Sequence, residues 1–255
     1  MIVTLGSVRG SPGVTSWCLL LAAAWPEALG SERVVLEADV DGGVLGARYG
    51  LGVEPGAVSL IASLRHSGVE VVVTEHGRNG APGLWLVPGP ESGEQARSVW
   101  SGTAGQVAPQ LAGDDRVWLV DAGRLSPSSP TIPLAEWSNI ALVVCRAGPE
   151  DLVQVPGRVA AMQQHAATVG VLVVGKPPYD KSELIDFFGT ARVWSVAESS
   201  ELTRLAGEAM VPGRARRTWL WRSAVEVAAE LASHAATSEP SASIPNQEDG
   251  ERRFA

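Results

Sequence analysis

The sequence is poor in lysine, in cysteine and in long apolar runs, and each shortage limits what the protein can be. Its only lysines are Lys176 and Lys181, so a site near the N-terminus that needs a lysine has none nearby in the sequence. Its two cysteines, Cys18 and Cys145, lie inside apolar runs without metal-ligand spacing, which favours buried free thiols in a reducing cytoplasm. No apolar run reaches the ~20 residues of a membrane helix, so we expect a cytoplasmic protein without stable membrane insertion.

Net charge and chain length further limit the class of protein and the number of domains. The 255 residues carry a net charge of -8, which disfavours a protein that is basic overall for nucleic acid but leaves a local basic patch open. With 45% hydrophobic residues, the chain is long enough for one large α/β domain, which we place at residues 1–235. Residues 236–255 are rich in Ser, Pro and Glu and lack an apolar face, which predicts a disordered polar tail.

The chain is organised around its first strand, loop and helix. Residues 2–5 predict a short buried strand and residues 17–25 a buried helix, with a loop rich in Gly and Pro between them. The glycines and proline interrupt the apolar pattern, which disfavours a secretory signal peptide. The first amides of a helix have no intrahelical partner and the helix dipole favours an anion, so this loop predicts a phosphate cradle. A Gly-rich turn in another kind of α/β protein is the alternative.

Acidic residues follow two further predicted strands. Residues 33–37 predict a strand that ends in acids and paired glycines around Asp39. Open α/β sheets bind ligands at such carboxyl ends, although a plain polar turn is the alternative. Residues 117–120 predict an apolar strand that ends at Asp121, a pattern in which the carboxylate holds magnesium through water. Arg124, shortly after it, would face either a phosphate or solvent.

The remaining predicted strands are mostly apolar throughout and alternate with helices. This pattern predicts a mostly parallel central sheet covered by helices on both faces, a three-layer α/β fold. The β-branched residues 69–74 predict an extra strand or hairpin arm. The other strands are predicted at residues 84–87, 139–146 and 169–174, with a short edge strand at 192–194. Helices are predicted at residues 48–67, 91–111, 149–165, 182–188, 199–208 and 218–233.

The first loop resembles the deviant P-loop of the ParA/MinD-type ATPases, a SIMIBI-class family with the pattern S-x-K-G-G-x-G-K-[ST]. The chain keeps four positions of that pattern, as Ser7, Gly10, Gly13 and Thr15. It departs at three, with Arg9 at the signature lysine, Ser11 at a second glycine and Val14 at the P-loop lysine. Glu37 and Asp39 match the family's D-x-D acids, and Asp121 matches its apolar strand that ends in Asp. The order and spacing of these motifs extend the resemblance over residues 1–235.

The resemblance implies a site for ATP or ADP with Mg²⁺ and a role for individual residues. The phosphate contacts would come from Gly10, Ser11, Gly13, Val14, Thr15 and Ser16. The base would lie near Pro177 and Tyr179, and the magnesium would be held by Thr15 and Asp121. Asp39 would orient the attacking water. Arg9 would reach the phosphates of the other subunit in a homodimer.

By the same resemblance, the protein would place plasmids, division sites, flagella or pili. One candidate subgroup is the pilus-positioning TadZ/CpaE-like type, in which atypical P-loops also occur. Val14 cannot supply the charge of the P-loop lysine, so we expect a positioning or scaffold protein with an unknown protein partner and weak or absent ATPase activity. Two alternatives stay open, namely a working ATPase that uses Arg9 and an interaction module that needs no nucleotide.

A basic aromatic cluster lies at the start of the last predicted helix. Its arginines are Arg214, Arg216, Arg217 and Arg222, and they alternate with Trp219 and Trp221. ParA relatives bind DNA non-specifically through basic surface near their C-terminus, and neutralising phosphates is enough for such binding. MinD relatives instead use a C-terminal amphipathic helix on membrane, so a contact with lipid is one alternative. A solvated arginine face with tryptophans packed on the domain is the other.

Overall fold

The computed structural model is built on one eight-stranded sheet, and it describes residues 1–10, 12–26, 32–64, 66, 69–196, 198–202, 204, 206 and 215–235. The strands are β1 (Ile2–Ser7), β2 (Arg33–Glu37), β3 (Arg78–Ala81), β4 (Leu84–Val87), β5 (Val117–Arg124), β6 (Ile140–Arg146), β7 (Val169–Val174) and β8 (Val193–Val196). Their order across the sheet is β3-β4-β2-β5-β1-β6-β7-β8. Only β3 is antiparallel to its neighbour among these described strands. The predicted mostly parallel sheet is confirmed.

Helices cover both faces of the sheet, as the apolar strands predict. The described helices are α1 (Val14–Ala24), α2 (Leu45–Tyr49), α3 (Ala57–Ser63), α4 (Val69–His76), α5 (Gly93–Ala112), α6 (Ile132–Glu136), α7 (Pro149–Leu152), α8 (Val155–Met162), α9 (Lys181–Phe188) and α10 (Trp219–Ala235). Successive residues of a strand point to opposite faces. Val35 therefore joins the apolar cluster of α1 and α10, whereas Val34 and Leu36 join that of α3 and α5.

One local prediction near the β3 edge is wrong, and β3 itself was not predicted. Residues 69–74, predicted as a strand or hairpin arm, lie in helix α4. Val73 is buried in the same apolar cluster as Leu60 and Leu64, so packing against α3 overrides the β propensity of the run. The hairpin arm is β3 instead, an Arg-Asn-Gly-Ala segment without β-branched residues. Its turn into β4 uses Gly83 at φ +67°.

The helices predicted at residues 91–111, 182–188 and 218–233 agree with the structure in outline. Two other predicted helices are interrupted. The segment predicted as one helix at residues 48–67 contains the end of α2 and then α3, with residues 50–56 outside any helix. The helix predicted at residues 149–165 is divided into α7 and α8, because Pro156 has no amide hydrogen to donate to the Leu152 carbonyl and its ring crowds that carbonyl.

Part of the helix predicted at residues 199–208 and the whole tail at 236–255 lie outside the described residues. Within the described part, no helix is both long enough and apolar enough to cross a membrane.

Candidate functional site

The carboxyl ends of three parallel strands meet the start of α1 at one edge of the sheet. Asp121 on β5 pairs with Leu5 on β1 and with Glu37 on β2, which brings these strand ends level. A cavity of about 430 Å³ opens at this edge. It is lined by Ser7, Gly10, Gly13, Val14, Thr15, Ser16, Asp39, Asp41, Val44, Arg48, Asp121, Gly123 and Arg124. The predicted loop, acidic turn and strand-end carboxylate therefore share one cavity.

Helix α1 begins at this cavity without a side chain that caps its N-terminus. Its N-cap residue, Gly13, adopts φ +90°, and the first turn of the helix contains no acidic residue. A Cβ at Gly13 would lie 2.7 Å from Leu202 Cδ2, in a conformation that L residues rarely adopt. The helix start therefore favours an anion in the cavity, through its terminal amides and its dipole.

Asp121 is the fully buried carboxylate of the cavity. Its Oδ1 accepts a hydrogen bond from the Gly123 amide at 2.9 Å. Its Oδ2 is buried and has no hydrogen bond of good geometry within the described residues, although the Thr15 hydroxyl is close enough to stabilise the charged carboxylate. Burial raises the pKa of Asp121 to about 7, and the charges of Glu37 and Asp39 act in the same direction. A bound cation, or a water that such a cation holds, fits this oxygen beside Thr15.

The Asp39 carboxylate is held against the turn that follows Asp121. Its Oδ1 accepts the Asp41 amide at 2.9 Å. A Cβ on Gly123 would lie 2.1 Å from Asp39 Cγ, and Gly123 has φ +59°, so both space and conformation require glycine there. Burial raises the pKa of Asp39, whereas the nearby Arg124 lowers it. Thr15, Asp39 and Asp121 thus come together as the resemblance implied.

Glu37 lies beneath the acidic turn as a buried structural acceptor. Its Oε1 accepts the amides of Val44 and Leu45 at 2.6 and 3.1 Å, and its Oε2 accepts the Gly89 amide at 2.9 Å. A Cβ on Gly43 would lie 2.4 Å from Glu37 Oε2, which explains one of the paired glycines. Burial raises the pKa of Glu37, while these amide hydrogen bonds lower it. Glu37 therefore fixes the backbone that leads from the acidic turn into α2.

Among the described residues, two arginines line the cavity, and neither of them is Arg9. Arg9 is exposed, and its Nη1 donates to the Glu150 carbonyl at 3.5 Å. Arg124 is exposed at the end of β5, with Nη2 3.5 Å from where a Gly10 Cβ would lie. Arg48 on α2 donates from Nη1 to Ser16 Oγ at 3.3 Å. Sequence reasoning missed Arg48, because no motif links two residues that are 32 positions apart.

Val14 and the predicted base-binding residues also have defined positions. Val14 is only 6% exposed, and no lysine is among the described residues that line the cavity. Pro177 and Tyr179 are not among them either. Tyr179 is half exposed in a separate apolar groove with Leu152 and Phe187. Ser11 lies outside the described residues. Contacts of Pro177, Tyr179 and Ser11 with a nucleotide stay predictions.

The basic aromatic cluster is described in part. Arg216, Arg217 and Arg222 are exposed, and the Arg216 guanidinium lies over the Trp221 ring, 5.8 Å from its centroid. Arg214 lies outside the described residues. Helix α10 packs against α1, so the cluster lies on the face of the sheet that α1 covers. A contact with DNA stays a prediction.

Comparison with solved structures gives the same fold family as the motifs. The cell division ATPase MinD of Pyrococcus furiosus has a TM-score of 0.72 at 14% identity, over 91% of this chain and 98% of that one. A ParA family ATPase of Chlorobium tepidum has a TM-score of 0.69 at 13% identity, over 89% and 98%. The septum site-determining protein MinD of Pyrococcus horikoshii, complexed with Mg-ADP, has a TM-score of 0.67 at 13% identity, over 93% and 98%.

No protein-family model matches the sequence, and no curated protein matches it either. At 13–14% identity, the structural likeness shows the fold alone. The chain has the P-loop fold of the ParA/MinD-type ATPases, and the resemblance is confirmed at that level.

Proposed function

We propose that the protein is a ParA/MinD-like positioning or scaffold protein that binds a nucleotide with Mg²⁺ but hydrolyses ATP weakly or not at all. One observation carries the proposal: the cavity keeps Thr15, Asp39 and Asp121, while the buried Val14 occupies the position of the P-loop lysine. The groups that bind phosphate and magnesium are therefore largely retained. The group that neutralises charge in the transition state is missing.

Magnesium and phosphate fit the donors that the chain supplies. The Thr15 hydroxyl would bind the cation directly, and Asp121 would hold it through water at its buried Oδ2. Within the described residues, no cluster of three acidic, His or Cys side chains could hold a metal by itself. Phosphate oxygens would therefore complete the coordination, which ties magnesium binding to nucleotide binding.

Weak hydrolysis follows from the missing cation. Phosphoryl transfer depends on positioning and on stabilising charge at the phosphoryl oxygens, and removing one preorganised donor costs on the order of 100-fold or more in rate. Asp39 keeps a position from which it would orient water. Arg9 points to the Glu150 carbonyl and does not line the cavity, so it would act only on a second subunit. A homodimer that binds nucleotide and recruits a protein partner is the corresponding assembly.

The experiment combines titration calorimetry with a hydrolysis assay. We expect ATP and ADP to bind at micromolar concentration with magnesium, and Thr15→Ala to remove this binding. Hydrolysis should lie near background. Val14→Lys should raise it by ~10-fold or more, whereas the uncharged control Val14→Met should not.

Two results would replace this proposal with its alternatives. Clear ATP turnover in the wild-type protein that Arg9→Ala and Asp39→Ala abolish would make it a working ATPase. No binding at millimolar ATP or ADP, with no thermal shift in the presence of magnesium, would make it an interaction module that needs no nucleotide.

A further inference from the structure

One positively charged side chain that lines the cavity is not part of the P-loop pattern. Arg48 reaches it from α2, and its Nη1 donates to Ser16 Oγ in the first turn of α1. That turn also begins with Val14, where the usual lysine is missing. Arg48 therefore brings a positive charge to the first turn of α1, the turn in which the P-loop lysine is missing.

Arg48 lies at a helix end whose dipole favours an anion over a cation. Its guanidinium lies against the N-terminal end of α1, which carries a partial positive charge, and the first turn of α1 has no acidic residue. The carboxylates of Asp39, Asp41 and Asp121 line the same cavity. Within the described residues, however, Arg48 forms no ion pair, and Asp41 pairs with Arg97 instead. The charge of Arg48 is therefore not neutralised by a direct ion pair with these carboxylates.

The second arginine of the cavity, Arg124, lies in a more exposed environment. It is close enough to Asp39 to lower the pKa of that carboxyl. Arg124 is exposed, whereas Arg48 is half-buried. A less solvated charge interacts more strongly with a ligand, which favours Arg48 over Arg124 for phosphate binding.

The backbone that carries Arg48 is anchored at both ends of α2. The Glu37 carboxylate accepts the amides of Val44 and Leu45, where α2 begins. Gly50 ends the helix at φ +62°, with its amide donating to the Gly46 carbonyl. The Arg48 side chain extends from this anchored helix to Ser16.

We propose that Arg48 binds the phosphates of the nucleotide and thereby replaces, for binding, the lysine missing at position 14. This inference rests on the proposed function, because it needs a nucleotide in the cavity. The guanidinium offers a planar fork of donors that matches phosphate oxygens, and Ser16 holds that fork beside the first amides of α1. Arg48 comes from the segment after the acidic turn, so phosphate binding also fixes the turn that carries Asp39.

Titration calorimetry with ADP and magnesium tests this assignment. Arg48→Gln removes the charge but retains a donor for Ser16, and it should weaken ADP binding by roughly 10- to 100-fold. Arg48→Lys should restore most of the affinity. Val14→Lys should also recover affinity in the Arg48→Gln background. The matched control is Arg33→Ala, since Arg33 is half-buried at the opposite end of β2 and donates to the Ala22 carbonyl.

Each outcome decides the matter, once thermal melts have shown that the variants fold. Equal ADP affinity in wild type and Arg48→Gln would overturn the role of Arg48 and leave the proposed function intact. An equally weakened affinity in Arg33→Ala, or no recovery with Val14→Lys, would assign Arg48 to general stability and so also overturn it. No ADP binding by the wild-type protein would overturn both this inference and the proposed function.

Discussion

Replacing Asp121 with Asn should stabilise the protein above neutral pH and have little effect in acid. Asp121 is fully buried, and burial raises its pKa from 3.8 to about 7. Because the folded state holds the proton more tightly than the unfolded chain, the stability that Asp121 contributes is present below about pH 4. It disappears as the pH rises through about 7. At ~1.4 kcal/mol for each pKa unit, this decrease is roughly 2.5 kcal/mol between pH 5 and pH 8.

Asn avoids this decrease, since it carries no charge and its Oδ1 can still accept the Gly123 amide. Urea unfolding of both proteins at pH 5, 6, 7 and 8 would measure the difference in free energy of unfolding. It should grow in favour of Asp121→Asn by roughly 2.5 kcal/mol over that range. Glu94→Gln, at an exposed position in α5, should follow the wild-type curve. A difference that stays constant with pH, or that favours the wild type at pH 8, would refute the reasoning.

Two further predictions concern the backbone under the site and the basic cluster. Glu37→Gln should lower the free energy of unfolding by roughly 2–3 kcal/mol in urea titrations, because an amide NH₂ would face a backbone donor such as that of Gly89. A change below about 0.5 kcal/mol would contradict this. If the basic aromatic cluster binds DNA, the slope of log affinity against log salt reports how many phosphates its arginines neutralise. Changing Arg216, Arg217 and Arg222 to Ala should then reduce this slope by roughly 0.9 for each phosphate that the variant no longer neutralises. An unchanged slope in fluorescence anisotropy would show that these side chains do not neutralise DNA phosphates.

The parallel strands of the sheet and the acids at its edge could be predicted from the sequence, because both follow from local patterns. Buried strands are apolar throughout, and a strand that ends in Asp121 can be recognised without knowing its neighbours. The prediction was wrong at residues 69–74, where packing against α3 decides the structure. It also missed β3, which has few strand-forming residues and depends on β4 for pairing.

Arg48, the arginine that we assign to the phosphates, could not be predicted from the sequence. Its position in the site depends on contacts between residues that are distant in sequence. A motif compares residues at fixed spacing, so Val14 was recognised as a missing charge and Arg9 as the nearest replacement. In the structure, Arg9 contacts the Glu150 carbonyl and does not line the cavity. Arg48, which lies 32 positions after Ser16 in the sequence, contacts Ser16 in the cavity. The Glu37 carboxylate accepts the amides that begin α2, and α2 carries Arg48, so Glu37 and Arg48 belong to one arrangement.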